Sequence, residues 1–280
     1  MEIIDCTLRD GGYYNNWDFS VPLVNDYLNA VSASGLKFIE LGFRNGASLG
    51  YRGPLHYSSD EFINNFIEVP DNLEIGVMIN SSAFIVNNNA NLPKLYSLFQ
   101  PAANSPVSFV RIASHVSECA LSIELASGLL DLGYRVVINV MQYNESLPGA
   151  RIKSVSDISE KLAGKLESLY FADSLGSMTS ADVESTVQEI REAGWQGHLG
   201  FHAHDNMSLA LANSLVALES GVTWLDCTVT GMGRGAGNLS TEMLLSYFVS
   251  GGNEEYSFSP ILALIGTHFE RLREALLGIR

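Results

Sequence analysis

The feature that most constrains this chain is a period. Short β-rich runs recur about every 30 residues, the length of one strand–helix–strand unit. They are Ile3–Leu8, Lys37–Leu41, Leu73–Ile79, Val107–Ala113, Tyr134–Met141, Leu166–Ala172, His198–Ala203 and Thr223–Val229. Apolar residues at helical spacing fill the gaps, most clearly over Leu121–Leu132, Ala181–Ala193 and Met207–Leu218. Gly35, Gly133, Gly194 and Gly221 each stand just ahead of a run, where a helix C-cap favours glycine. Eight such units predict an α/β chain closed into a (β/α)8 TIM barrel. A doubly wound open sheet uses the same units and is the competitor. No linker-like stretch divides the 280 residues. A single domain is therefore expected, with the barrel over about 1–250 and an extra amphipathic C-terminal helix over about 259–277. The asparagine-rich stretch 87–91 reads as a polar loop.

Charge narrows the partners. Sixteen Lys and Arg against thirty-one Asp and Glu give a net charge of −15. Such a field repels phosphate backbones and anionic lipid, so neither nucleic acid nor a membrane is expected as a partner. No apolar run approaches the ~20 residues of a membrane helix. The N-terminus reaches Asp5 without a basic and then apolar leader. Cys6, Cys119 and Cys227 are odd in number and lack metal-type spacing, which fits a reduced, cytoplasmic setting.

In a barrel, the chemistry sits at the C-terminal strand ends. The seventh run ends in His202-Ala203-His204, whose alternate residues project from one face about 6.6 Å apart along the strand. Two imidazoles so placed can share a cation, and they can equally be packed side chains at a strand end. Closure of the sheet would bring Asp10, after the first run, and Asn238, after the eighth, to the same rim. One divalent ion, Mn²⁺, Mg²⁺, Co²⁺ or Zn²⁺, suits that donor mixture without being singled out by it. Gly231–Ala236 formally matches a degenerate dinucleotide fingerprint but has no following strand to complete it. A tight rim turn is the expectation instead, placing Asn238 as a ligand or as the N-cap of the next helix. Arg9, Arg44, Arg111 and Arg234 fall in or just beyond runs one, two, four and eight. They are read as a cationic, substrate-binding mouth for a small anion.

These residues resemble a known family. Asp5-Cys6-Thr7-Leu8-Arg9-Asp10-Gly11 is similar to the D-x-T-L-R-D-G signature of the DRE-TIM metallolyase superfamily. Ile39-Glu40, Ala172-Asp173-Ser174-Leu175-Gly176, the His202–Asn206 stretch and Gly231–Asn238 resemble further strand ends of that group, in the expected order. Arg111–His115 with Ser117-Glu118 resembles its 4-hydroxy-2-oxovalerate aldolase branch. The resemblance implies a metal-dependent aldolase that takes a 2-oxo acid, pyruvate, and an aldehyde. Asp10, His202 and His204 would bind the metal, while Asn238 matches a ligand in some branches only. Arg9 would hold charge on the enolate oxygen and Glu40 would orient Arg9. The branch carries an acid/base His three positions after the metal-binding Asp, and here that position is Tyr13. Tyr13 and His115 are therefore the candidates for moving the proton, with His56 behind them. A homodimer is implied. No dehydrogenase partner is expected, because the long C-terminal region that engages one in the family has no counterpart here. A Claisen-type acyltransferase using acetyl-CoA and a non-catalytic barrel that binds an oxo acid are the rivals.

Overall fold

The computed structural model describes residues 1–270. Its strands are β1 (Glu2–Asp5), β2 (Phe38–Phe43), β3 (Glu74–Asn80), β4 (Phe109–His115), β5 (Arg135–Met141), β6 (Ser168–Asp173), β7 (Leu199–Ala203) and β8 (Trp224–Cys227). All are parallel and pair in chain order, and β8 pairs with β1 from Glu2↔Trp224 to Asp5↔Cys227. That last ladder closes the sheet and excludes the open alternative. The helices are α1 (Thr7–Gly11), α2 (Val21–Ala33), α3 (Asp60–Phe66), α4 (Leu92–Leu98), α5 (Cys119–Asp131), α6 (Pro148–Leu162), α7 (Ser180–Glu192), α8 (Ala210–Glu219), α9 (Thr241–Ser250) and α10 (Ser259–Leu264). Gly35, Gly133, Gly194 and Gly221 all take positive φ, between 88° and 106°, at the ends of α2, α5, α7 and α8. None of the described helices is long and apolar enough to cross a membrane.

Three local expectations are corrected. The first run stops at Asp5, because its carboxylate accepts from both the backbone N–H and the hydroxyl of Thr7. That turn bends the chain into α1, so Arg9 and Asp10 rise from a short helix rather than a strand end. The stretch 87–91 is not plain loop. Ile85–Val86 and Asn89–Ala90 form a small hairpin, turned by Asn87 and Asn88 with φ of 50° and 59°, as a type I′ turn requires. The extra helix is α10 followed by a wider turn over Ile265–Phe269, and residues 271–277 of the expected helix lie outside the described residues.

The barrel interior is layered. At its lower end Ile4, Cys6, Phe38, Phe109, Val137, Tyr170 and Trp224 form an apolar cluster separate from the main core beneath the helices. Glycines make room for the rings. A Cβ on Gly76, paired with Phe109, or on Gly200, paired with Tyr170, would lie 2.1 Å from the facing ring. Two residues further along, side chains return to the same face of a strand. That step leads from Phe38 to Glu40, from Phe109 to Arg111, from Val137 to Asn139 and from Trp224 to Asp226. The interior thus changes from apolar to ionic within one layer.

Candidate active site

Above the apolar floor lies a buried ion network. The Nε of Arg9 donates to Glu40 Oε2 and its Nη1 to Asp10 Oδ1. Arg111 donates from Nη2 to Asp226 Oδ2 at 2.7 Å and lies 3.5 Å from Glu40 through Nη1, with its guanidinium over the Tyr170 ring. Asp226 Oδ2 also sits 2.8 Å from Nδ1 of His202. Burial opposes ionisation of Asp226, but Arg111 and His202 outweigh it and hold its pKa down at about 2. The carboxylate is therefore ionised, and His202 Nδ1 must be the donor. Its Nε2 is left facing Asp10 Oδ2 at 3.5 Å. Burial likewise disfavours charge on Asp10, yet Arg9 and the two histidines keep it ionised below the ordinary carboxylate range. Burial, and then His202, push His204 down to about 4, so this imidazole is neutral at pH 7. The two rings lie 5.1 Å apart.

Asn238 reaches the rim because the loop after β8 folds back. His204 and Asn238 form an isolated antiparallel bridge, and Leu239 N–H donates to Ala203 O. The turn depends on glycine: Gly237 has φ of 98°, and a Cβ there would lie 2.2 Å from Gly231 O. The helix cap expected of Asn238 belongs to Ser240, whose hydroxyl accepts from Met243 N–H. Asn238 is free for the site, and its Nδ2 donates to Asp10 Oδ2 at 2.6 Å.

The donor set fits a divalent cation. Three carboxylates, of Asp10, Glu40 and Asp226, face two guanidiniums, of Arg9 and Arg111, which leaves negative charge in excess. Glu40 Oε1, Asp226 Oδ1 and Asn238 Oδ1 are buried acceptors without a hydrogen-bond partner. Half a turn of the Asn238 amide would present Oδ1 instead of Nδ2 to the position beside Asp10. A histidine held by a carboxylate through one nitrogen with the other free is the arrangement of a metal ligand. Among the described residues no three His, Cys, Asp or Glu side chains stand together as they are so as to hold an ion; the oxygens of Asp10 face Arg9 and Asn238, and must turn from them to bind one.

The structure sorts the other expected residues. Arg9, Asp10, Tyr13, His202, His204 and Arg234 line the mouth, with Arg234 over the Tyr13 ring. Arg111 does not: it is fully buried in the layer below, both arms already engaged. Nor does Arg44, which turns outward against Ser58, Asp60 and the Phe99 ring, beside a separate cavity of about 380 Å³ between α3 and α4. The cationic mouth of four arginines is corrected to Arg9 and Arg234. His115 ends β4 above the lining residue Ala113 and is not itself in the lining, while His56 packs among Trp17, Phe43 and Tyr57. Sequence reasoning missed Asp226 and Asn139. Their signal was available: each stands two residues after an apolar residue of a strand, on the inward side.

Comparison with known proteins identifies the family. The model of the HMGL-like family matches residues 1–265. A 4-hydroxy-2-oxovalerate aldolase of Carboxydothermus hydrogenoformans is 27% identical over 259 residues, 91% of this chain and 72% of the relative. An oxaloacetate decarboxylase of Mycobacterium tuberculosis is 27% identical over 250 residues, 87% of this chain and 68% of the relative. The crystal structure of the N-terminal domain of a Bacteroides vulgatus protein described as an aldolase superimposes with a TM-score of 0.87 at 31% identity, covering 98% of this chain and 88% of that one. With a matching family model over nearly its whole length and relatives that cleave carbon–carbon bonds, the chain is a lyase of aldolase type and belongs to the HMGL-like family.

Proposed function

We propose that this chain is a divalent-metal-dependent pyruvate aldolase. The observation that carries the reading is the convergence of Asp10, His202 and His204 on one rim, with His202 held by Asp226 and Arg9 alongside. A divalent ion held by Asp10, His202 and His204, with the Asn238 oxygen turned inward, would supply the Lewis acidity that makes the methyl protons of pyruvate removable. Arg9 spends Nε on Glu40 and Nη1 on Asp10, so its remaining Nη2 meets the keto oxygen as negative charge builds there. Glu40, with Arg111 behind it, fixes the plane of that guanidinium. Arg234, at the open side of the mouth, attracts the carboxylate of the 2-oxo acid. Tyr13 is the acid/base group best placed to exchange a proton with the acceptor oxygen, since His115 and His56 lie outside the lining.

A second reading follows from the decarboxylase relative. Aldol cleavage of a 4-hydroxy-2-oxo acid and decarboxylation of oxaloacetate both break a carbon–carbon bond and leave the enolate of pyruvate. They differ only in whether an aldehyde or carbon dioxide departs. The test therefore starts with the shared step. In D₂O with Mn²⁺, the protein should exchange the methyl protons of pyruvate, followed by NMR. A chelator should abolish exchange, and Asp10→Asn should lower it at least about a hundredfold. Exchange that ignores the chelator would sink the proposal. Product analysis with 4-hydroxy-2-oxo acids and with oxaloacetate then separates the two readings.

A further inference from the structure

The half of the mouth opposite the candidate metal ligands carries its own chemistry. In the closed order of strands, β5 stands diametrically across from β1, while β8 lies beside β1 and β7 beside β8. The part of an acceptor beyond the new carbon–carbon bond must therefore extend toward β3, β4 and β5. That wall is built from Met78, Ala113 and Met141, with Phe43 of β2 at its edge and two amides set into it, Asn80 and Asn139. Register puts the amides in one row: Asn80 pairs with Ala113, and Ala113 pairs with Asn139. The small alanine leaves a notch between them. Asn139 is buried, and its Oδ1 has no hydrogen-bond partner. An unmet buried acceptor is costly, and a ligand that satisfies it recovers that cost.

We infer that Asn139 recognises a hydroxyl group on the acceptor, so that the chain takes hydroxylated aldehydes. This rests on the aldolase reading. An amide can face the notch by either edge. A carboxylate or carbonyl can pair only with the Nδ2 edge, whereas a hydroxyl both donates and accepts and meets either. The apolar residues around the notch disfavour a fully charged substituent, and the arginines once read as gathering one, Arg44 and Arg111, face elsewhere. In the reaction a proton leaves C3 of pyruvate, C3 bonds to the aldehyde carbon, and the aldehyde oxygen gains a proton. The hydroxyl bound by Asn139 lies on the neighbouring carbon and takes no part in that exchange.

The test compares glycolaldehyde with propionaldehyde, which differ by a hydroxyl in place of a methyl group and share the reacting carbonyl. With Mn²⁺ and pyruvate, kcat/KM should favour glycolaldehyde by about tenfold to a hundredfold. Asn139→Leu should reverse that ratio through a lower KM for propionaldehyde, and Asn139→Ser, which retains a hydroxyl, should keep part of it. Equal turnover of the two aldehydes by the unaltered protein would overturn the inference, as would a ratio that neither substitution moves. Methyl-proton exchange of pyruvate is followed in the same samples. Exchange without the aldehyde preference refutes Asn139 alone; absence of exchange refutes the aldolase reading and this inference with it.

Discussion

The lower and upper halves of the barrel interior are made by the same strands and differ by one step of two residues. Below, Phe38, Phe109, Tyr170 and Trp224 fill the cross-section with rings, and glycines on neighbouring strands give them room. Above, Glu40, Arg111 and Asp226 occupy the equivalent inward positions one layer higher, buried and charged. Both layers are closed to water, yet only the lower one draws stability from being so. Desolvating these three ionic side chains costs several kcal/mol each, and their mutual contacts repay it only where geometry is good. A layer of Leu and Phe would hold the barrel at least as well. The upper layer is explained by what it orients: Arg9 and His202, the two groups it hands to the mouth.

The comparison is broken most severely at Asp226. Asp226→Asn removes the charge that pairs with Arg111 and leaves His202 a neutral, weaker amide oxygen in place of a carboxylate. Both properties should fall together: about 3–5 kcal/mol of stability, because Arg111 is left buried with only Glu40 at 3.5 Å, and about tenfold to a hundredfold in metal affinity. Denaturant melts and Mn²⁺ titration read the two separately. Acid adds a signature. The folded pKa of Asp226 is pushed down to about 2, below the unfolded value of ~3.9. Its stabilisation is complete above the unfolded value and is lost as pH falls toward the folded one. The stability gap between the unaltered protein and Asp226→Asn should therefore close across that interval.

In the lower layer one property should move and the other stay. Phe109→Ala opens a cavity under the ionic network and should cost about 3–5 kcal/mol in chemical denaturation. Per folded molecule, exchange of pyruvate methyl protons should stay within about twofold, since the ring belongs to the apolar cluster beneath the network and does not line the mouth. A large kinetic loss would mean that the floor also sets the geometry of the site, and the division between the layers would fail.

The sequence carried the eight strand–helix units because their period encodes them: strands about 30 residues apart, with glycine at the helix ends, leave a closed barrel or an open sheet, and the β8–β1 ladder decides for the barrel. It marked His202 and His204 as candidates through H-x-H at a strand end, and Asp10 through the resemblance, although Asp10 stands on α1. Depth was harder to read. Arg111 and Ala113 have the same inward parity, but one lies beneath the site and the other lines it. That difference depends on how far each strand is staggered against the next, which no local pattern states. Asp226 was missed for the same reason, since a lone acid in a strand announces neither its partner on β4 nor its partner on β7.

Arg44 offers the smallest effect. It follows β2 at the mouth end, and its position in the chain resembles that of a substrate-binding group. Its side chain, however, leaves the barrel: Nη2 donates to Ser58 O at 2.7 Å and to Asp60, and the guanidinium lies over Phe99. Arg44→Lys keeps the charge and loses the planar fork. If the mouth is served by Arg9 and Arg234 alone, the KM for pyruvate should change by less than about twofold, while the melting temperature drops by a few degrees for the loss of about 1 kcal/mol of fork geometry. A clear rise in KM without thermal loss would put Arg44 back among the substrate-binding residues. It would also mean that the wall between α3 and α4 moves toward the mouth when substrate binds.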